Sequence, residues 1–353
     1  MTTVEHRVEL GTRTSRALGV VSALLIGVLV LLPFVVERSF LVSLTELMIL
    51  IALGQLWNLL AGYSGIFSFG QQAYVGIGAY ATFALADLVG LNIWLAIALS
   101  GVVALVIAYS TAFLIFRLEG GYFAVATWVV AETFRLLVKN NDRLNPGGTP
   151  QPLRTLASLG PDRFQIIYWL AVAVGLGSVI LTLVFLRSRW GLALSAIRDD
   201  EETAAASGID VHRVKMRVYL LVAAMTGLTG SVYLLNNVSI DPDSYFSIGL
   251  TAQMVVVVVV GGLGTVEGPI VGALIYFLLD ENLSVLGTWW FITLGVLLIV
   301  LLLVAPRGVW GTIQARTGLR LFPTQRRLIV GENRSVHDGP TDDIRSEAEW
   351  TRE

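Results

Sequence analysis

An all-α, polytopic membrane protein with about ten transmembrane helices is the fold class that this sequence predicts. Three observations carry it. Of 353 residues, 55% are hydrophobic and only 14% charged, whereas a soluble domain carries roughly 25% charged residues. The mean hydropathy is +0.73. The apolar residues fall into successive runs near the roughly 20 residues that hydrocarbon about 30 Å thick requires of a helix. These runs are helices rather than strands, because an isolated strand leaves its backbone unsatisfied in lipid.

In order, the expected spans lie near residues 17–36, 39–61, 71–89, 92–116, 121–138, 164–186, 215–236, 246–263, 268–283 and 288–305. The first, from Ala17 to Val36, is too long for the apolar core of a signal peptide, and Glu37-Arg38-Ser39 is no small-residue cleavage site; it reads as a retained span. The third and ninth are short or glycine-rich. The eighth contains six consecutive valines, 255–260, which favour strand in water but stand here in a run of spanning length. Residues 1–16 read as a cytoplasmic N-terminal segment, 17–305 as one transmembrane domain, and 306–353 as a cytoplasmic tail. From Gly331 the tail is polar, acidic and poor in apolar residues, a composition that predicts disorder.

Lysine and arginine placement orients the bundle. With both termini cytoplasmic, Arg117, Arg187, Arg189, Arg198, Arg213, Lys215 and Arg217 are inside, and Arg38, Lys139, Arg143, Arg154 and Arg163 outside. The basic loop 139–163 is the exception to the bias. Its Pro146, Gly147, Gly148 and Pro150 predict a turn-rich connection. The net charge of −2 gives no basic surface for nucleic acid. There is no cysteine, and the three histidines are far apart in sequence, so no metal cluster is indicated.

The most distinctive polar stretch is the loop 187–214, which contains Arg198-Asp-Asp-Glu-Glu-Thr-Ala-Ala-Ala-Ser-Gly208. Asp199 or Asp200 suits a helix N-cap, Glu201 and Glu202 suit the first turn of a helix dipole, and Gly208 suits its end. Ala204, Ala205 and Ala206 favour helix and leave a small-residue face that another protein can approach closely. The plainer reading is an ordinary cytoplasmic loop with a helical turn.

Two glycine-rich segments follow the same outline. One runs from Gly62 through Gly65 and Gly70 to Tyr80, the other from Gly261 and Gly262 through Gly264 and Gly268 to Leu274. Glycines let membrane helices pack backbone to backbone and permit helix breaks where protein or a cavity covers them. The two segments form a faint internal repeat.

Glu202-Thr-Ala-Ala-Ala-Ser-Gly208 resembles the Glu-Ala-Ala-x-x-x-Gly coupling motif of ABC importer permeases, departing from it at Thr203. Together with both glycine segments, Gly120-Gly-Tyr-Phe-Ala-Val-Ala-Thr127, Glu132-x-x-Arg135, Gly147-Gly-Thr149, Pro242-Asp-Ser244 and Pro306-Arg-Gly308, it resembles the branched-chain amino acid permeases of the LivM type, in order from about residue 45 to 311. The resemblance implies the ABC importer permease fold in a bacterial inner membrane. It also implies a second permease subunit, two cytoplasmic ATP-binding subunits and an external solute-binding protein. Asp200, Glu201, Glu202, Ala204, Ala205 and Gly208 are then the expected ATPase-coupling residues. Relatives in that family move urea or short amides, which leaves the solute open.

Buried polar side chains in a membrane are expected to be paired or to face water. Glu132 and Arg135, three apart on one helix face, read as a structural ion pair or as part of the route. Asn58, Gln71, Gln72 and Gln253 are the expected route residues, because they flank the glycine segments. No phosphate-cradling G-x-x-x-x-G-K-[ST] occurs, so ATP hydrolysis is assigned to partner subunits; no cofactor or enzyme activity is expected. A passive channel, or a secondary transporter working through Glu46, Asp87 and Glu132, is the alternative from residues alone.

Overall fold

The computed structural model describes residues 27–118, 120–283, 289–305 and 307–317. The N-terminal segment, the first half of the first expected span (17–26) and the tail beyond residue 317 lie outside the described residues. A 3-10 turn at Leu32–Phe34 leads into α1, Arg38–Asn58, which continues as one π-helical turn, Leu59–Tyr63. After a break comes α2, Gln71–Phe83, itself extended by a π turn at Ala84–Leu88. α3 is Ile93–Ile115, its end capped by Asn92 accepting from the Trp94 N–H. α4 is Gly120–Lys139 and α5 is Arg163–Arg187. Then follow α6, Arg189–Asp199, α7, Glu201–Ala206, α8, Val211–Asn237, and α9, Pro242–Tyr245. The chain closes with α10, Ile248–Gly261, α11, Gly268–Leu283, α12, Trp289–Val304, and α13, Gly308–Thr317.

Six helical stretches among the described residues are long and apolar enough to cross a membrane: Arg38–Tyr63, α3, α4, α5, α8 and Pro242–Gly261. α2 with its π turn, 71–88, is not among them, and α11 and α12 have 16 residues each. The valine run lies inside α10, where packing overrides strand preference.

The core forms around α2, whose every residue except Ala81 is buried. Glycine makes that possible. α2 and α8 pack backbone to backbone, with Gly78 against the backbone of Gly227 and Gly230 against that of Val75. A hydroxyl chain of Thr82, Ser231 and Ser100, at 2.7 and 2.6 Å, then joins α2, α8 and α3. Tyr74 and Tyr219 meet hydroxyl to hydroxyl at 2.6 Å, with Thr111 at 3.1 Å from Tyr74. Such bonds are worth about 0.6 kcal/mol each in membranes, so their role is to fix register. α1 runs parallel to α5, with Arg38 over the Phe164 ring at 5.7 Å and Gly175 against Met48.

At one end of the bundle the loop 139–163 is stapled down. β1, Gln151–Pro152, pairs antiparallel with β2, Ser239–Ile240. The Asp87 carboxylate accepts from the backbone N–H groups of Arg154 and Thr155 at 2.7 and 2.9 Å. The opposite end carries α6, α7 and both glycine segments.

Candidate functional site

The charged end is built from local rules. Asp200 adopts extended backbone, and its Oδ1 accepts from the Thr203 N–H at 3.0 Å. Of the two candidate caps, Asp200 is the one used. That N–H holds the Asp200 carboxyl below the usual aspartate value. Glu201 and Glu202 occupy the first turn. Glu201 is tied to Lys215 at the start of α8, Oε2 to Nζ 2.6 Å. Ala204 turns inward and is buried, while Glu202, Ala205 and Ala206 remain exposed. Gly208 ends the turn at φ +85°, its N–H donating to Ala205 at 3.0 Å and that of Ile209 to Ala204 at 3.2 Å. Asp210 then caps α8 through the Arg213 N–H at 3.0 Å. α7 is thus a single short helix capped by Asp200 at its start and followed at once by the capped start of α8. Its base is firm: Leu194 and Ile197 of α6 are buried, and Arg189 and Arg217 both lie over the Trp190 ring, at 4.9 and 3.8 Å.

Both glycine segments interrupt helices. In the first, Gly65 takes φ +68° with open space around it. Gly70 is the N-cap of α2 and abuts the Thr127 backbone on α4, and the Trp57 indole N–H donates to the Ser68 carbonyl at 2.9 Å. In the second, Gly262 and Gly264 take φ +134° and +76°. The Thr265 hydroxyl donates to the Gly262 carbonyl at 2.8 Å and accepts from the Gly268 N–H at 3.0 Å. Gly261 packs on the Gly268 backbone, and Gly308 of α13 packs on Gly262.

The two breaks touch. The Asn58 amide donates to the Thr265 carbonyl at 2.8 Å and accepts from the Gly264 N–H at 2.9 Å. A side chain on Gly62 would collide with this contact, its Cβ falling 2.7 Å from the Gly264 nitrogen. Arg198 also reaches Gly264, its Nη1 2.8 Å from where a Cβ would sit.

Of the expected route residues, Asn58, Gln71 and Gln72 are fully buried, and each bonds inside the bundle. The Gln71 amide donates to Thr226 Oγ1 at 2.8 Å, and Gln72 accepts from the Thr251 hydroxyl. Gln253 is half-buried in the middle of α10, not beside the break as its place in the sequence suggested. Arg135 Nε donates to Glu132 Oε2 at 2.9 Å. The guanidinium also bonds Asp243 of α9, which in turn pairs with Lys139 at 2.8 Å. The ion pair is therefore a four-member cluster at the end opposite α7. Asp87, a proton-transfer candidate in the sequence, is occupied by the Arg154 and Thr155 backbone.

Sequence reasoning missed two residues. Arg198 reads as one of many cytoplasmic arginines, and nothing in its neighbours announces Gly264. Gln55 is fully buried, with neither amide atom bonded, a state that no local pattern signals.

A family model described as the permease component of branched-chain amino acid transport systems matches residues 38–305. The high-affinity branched-chain amino acid transport permease LivM of Escherichia coli K12 is 28% identical over 304 residues, covering 78% of this chain and 71% of that protein. The LivH permease of the same organism is 27% identical over 292 residues, covering 76% and 93%. The ribose import permease RbsC of Bacillus subtilis is 33% identical over 137 residues, covering 38% and 42%. No solved structure matches the chain.

Proposed function

Because the chain belongs to the family of branched-chain amino acid transport permease components, we propose that it is a membrane-spanning subunit of an ATP-driven importer for branched-chain amino acids, and that α7 is where it receives the stroke. It works beside a second permease subunit in a bacterial inner membrane. Two cytoplasmic ATP-binding subunits drive the pair, one of them seated against α7 with both termini on the same side, and an external protein delivers the solute. Transport is by alternating access. Nucleotide shifts the equilibrium between two conformations only through its different affinity for each.

The observation that carries the reading is the geometry of α7. It is a capped helix whose Ala204 is anchored in the core while Glu202, Ala205 and Ala206 face outward. Small outward side chains allow close approach of a partner, and the caps make the helix stiff enough to transmit a push. Glu202→Arg, and a bulky residue at Ala205 or Gly208, are expected to abolish uptake while membrane insertion persists. Uptake of labelled leucine into vesicles holding the assembled importer reads the first, and fractionation reads the second. Normal uptake in these variants removes α7 from the mechanism. The solute assignment is read by competition: isoleucine and valine displace leucine, and ribose and urea do not.

A further inference from the structure

α7 lies at one edge of the bundle, and a push there has no effect on a route unless something carries it inward. Arg198 is the last-but-one residue of α6, two positions before the cap of α7. The helix that bears it is fixed by the buried Leu194 and Ile197, so displacement of α7 and α6 moves the guanidinium. That guanidinium lies against Gly264, in the second break, its Nη1 2.8 Å from where a Cβ would sit, and Gly264 itself turns at φ +76°. Asn58, at the end of α1, meets the same loop. It holds the Gly264 N–H and the Thr265 carbonyl in a two-bond clamp of 2.9 and 2.8 Å. Gly62, in the π turn of the first break, closes the stack, its carbonyl oxygen 3.2 Å from the same Cβ position on Gly264. Tyr63 next to it lies within electrostatic reach of both Arg198 and the buried Glu267. One contiguous line of contact therefore runs from the charged end through Arg198 and Gly264 to Asn58 and Gly62, and it touches both broken helices.

We propose that Arg198 and Asn58 are positioning residues that make the two helix breaks move as one body with the charged end. Arg198 delivers the displacement to residues 262–267, and the Asn58 clamp passes it to residues 59–65. This inference rests on the reading of α7 as the ATPase-facing helix. Neither side chain needs to touch the solute. A planar guanidinium suits the task because it is stiff and permanently charged. A primary amide suits the clamp because it offers one donor and one acceptor to two groups of the same loop.

The test uses the complete importer with its partner subunits, reconstituted in vesicles. For Arg198→Leu, the ATP-binding subunits remain in the purified complex at the native ratio and hydrolyse ATP. Leucine uptake per ATP falls at least about fivefold, the low end of typical coupling between sites, and stimulation of hydrolysis by the loaded binding protein is lost. Arg198→Lys recovers part of the uptake. Asn58→Asp, which keeps the acceptor and loses the donor, lies between native and Arg198→Leu. Unchanged uptake per ATP in Arg198→Leu overturns the proposal. So does loss of uptake that tracks loss of the subunits or of thermal stability, because Arg198 is then a docking or folding residue. Failure of the α7 reading is separable: Glu202→Arg would then keep its ATPases and transport normally, whatever Arg198 does.

Discussion

The two glycine segments look alike in sequence and do different jobs in the fold. In the first, residues 64–70, Gly65 is needed for its conformation: φ is +68° and nothing lies within 4 Å of an added Cβ. In the second, Gly262 and Gly264 also turn at positive φ, but Gly261, Gly268 and Gly272 are needed for their size, since each faces backbone where no methyl group fits. The second break is thus a tight joint between α10 and α11. The first is an open turn anchored at its ends by Gly62 and Gly70. The difference shows how a stretch between helices can be irregular in two ways. It can be covered by packing, or be held at its edges by side chains such as Trp57 and Asn58.

This contrast is open to direct challenge. The largest effect is expected at Gly272→Ala, where a methyl group meets the Val257 carbonyl oxygen and the joined helices must separate. Overpacking costs about 1–3 kcal/mol and sometimes more, and backbone neighbours cannot rotate away. The purified permease should lose thermal stability near the top of that range. A smaller loss, about 1–2 kcal/mol, is expected for Gly65→Ala, from the left-handed backbone alone. Gly65→Asn should recover part of it, because asparagine tolerates that region. Equal melting shifts for Gly272→Ala and Gly65→Ala would erase the distinction between a size-limited and a shape-limited break.

At the far end of the bundle, Asp243→Asn tests whether stability resides at the breaks or in the ion cluster. The Asp243 side chain is 56% exposed, so its pairs are worth at most about 1 kcal/mol each. The melting shift should be smaller than for either glycine variant.

The smallest effect concerns pH. The carboxyl of Asp200 is depressed in the folded chain by the Thr203 N–H. Its contribution to α7 is therefore complete above the ordinary aspartate value and is lost as the pH falls through the lower, folded-state value. Pepsin cleavage between residues 199 and 210 should quicken across that acid window in the native chain. Asp200→Asn, whose side-chain acceptor does not titrate, should lack that added step and follow only the protease's own pH dependence. The same window in both proteins would remove the cap from the account of α7.

Much of this was legible in the sequence, for definite reasons. Apolar runs announce spanning helices because lipid leaves the backbone no other partner. α7 was legible to within a residue because caps, acidic first turns and terminal glycines are local rules, satisfied by Asp200, Glu201, Glu202 and Gly208 themselves. Asn58, Gln71 and Gln72 were picked out as polar residues beside the breaks, but their partners, Thr265, Thr226 and Thr251, lie 155 or more residues away. Nothing local names such partners, nor does it say that all three are enclosed. The Glu132–Arg135 pair followed from helical spacing, whereas its extension to Asp243 depended on α9 folding back beside α4.

By itself, then, the sequence determined the solvent of this chain, its helical character, the place of its charged helix and its family resemblance. All of these are set by composition and by neighbours within a turn or two. Only the tertiary structure decided which glycines are turns and which are contacts, which polar groups are enclosed, and that Arg198 reaches Gly264. Those facts depend on distances between segments far apart in the chain, and short-range rules carry no information about them.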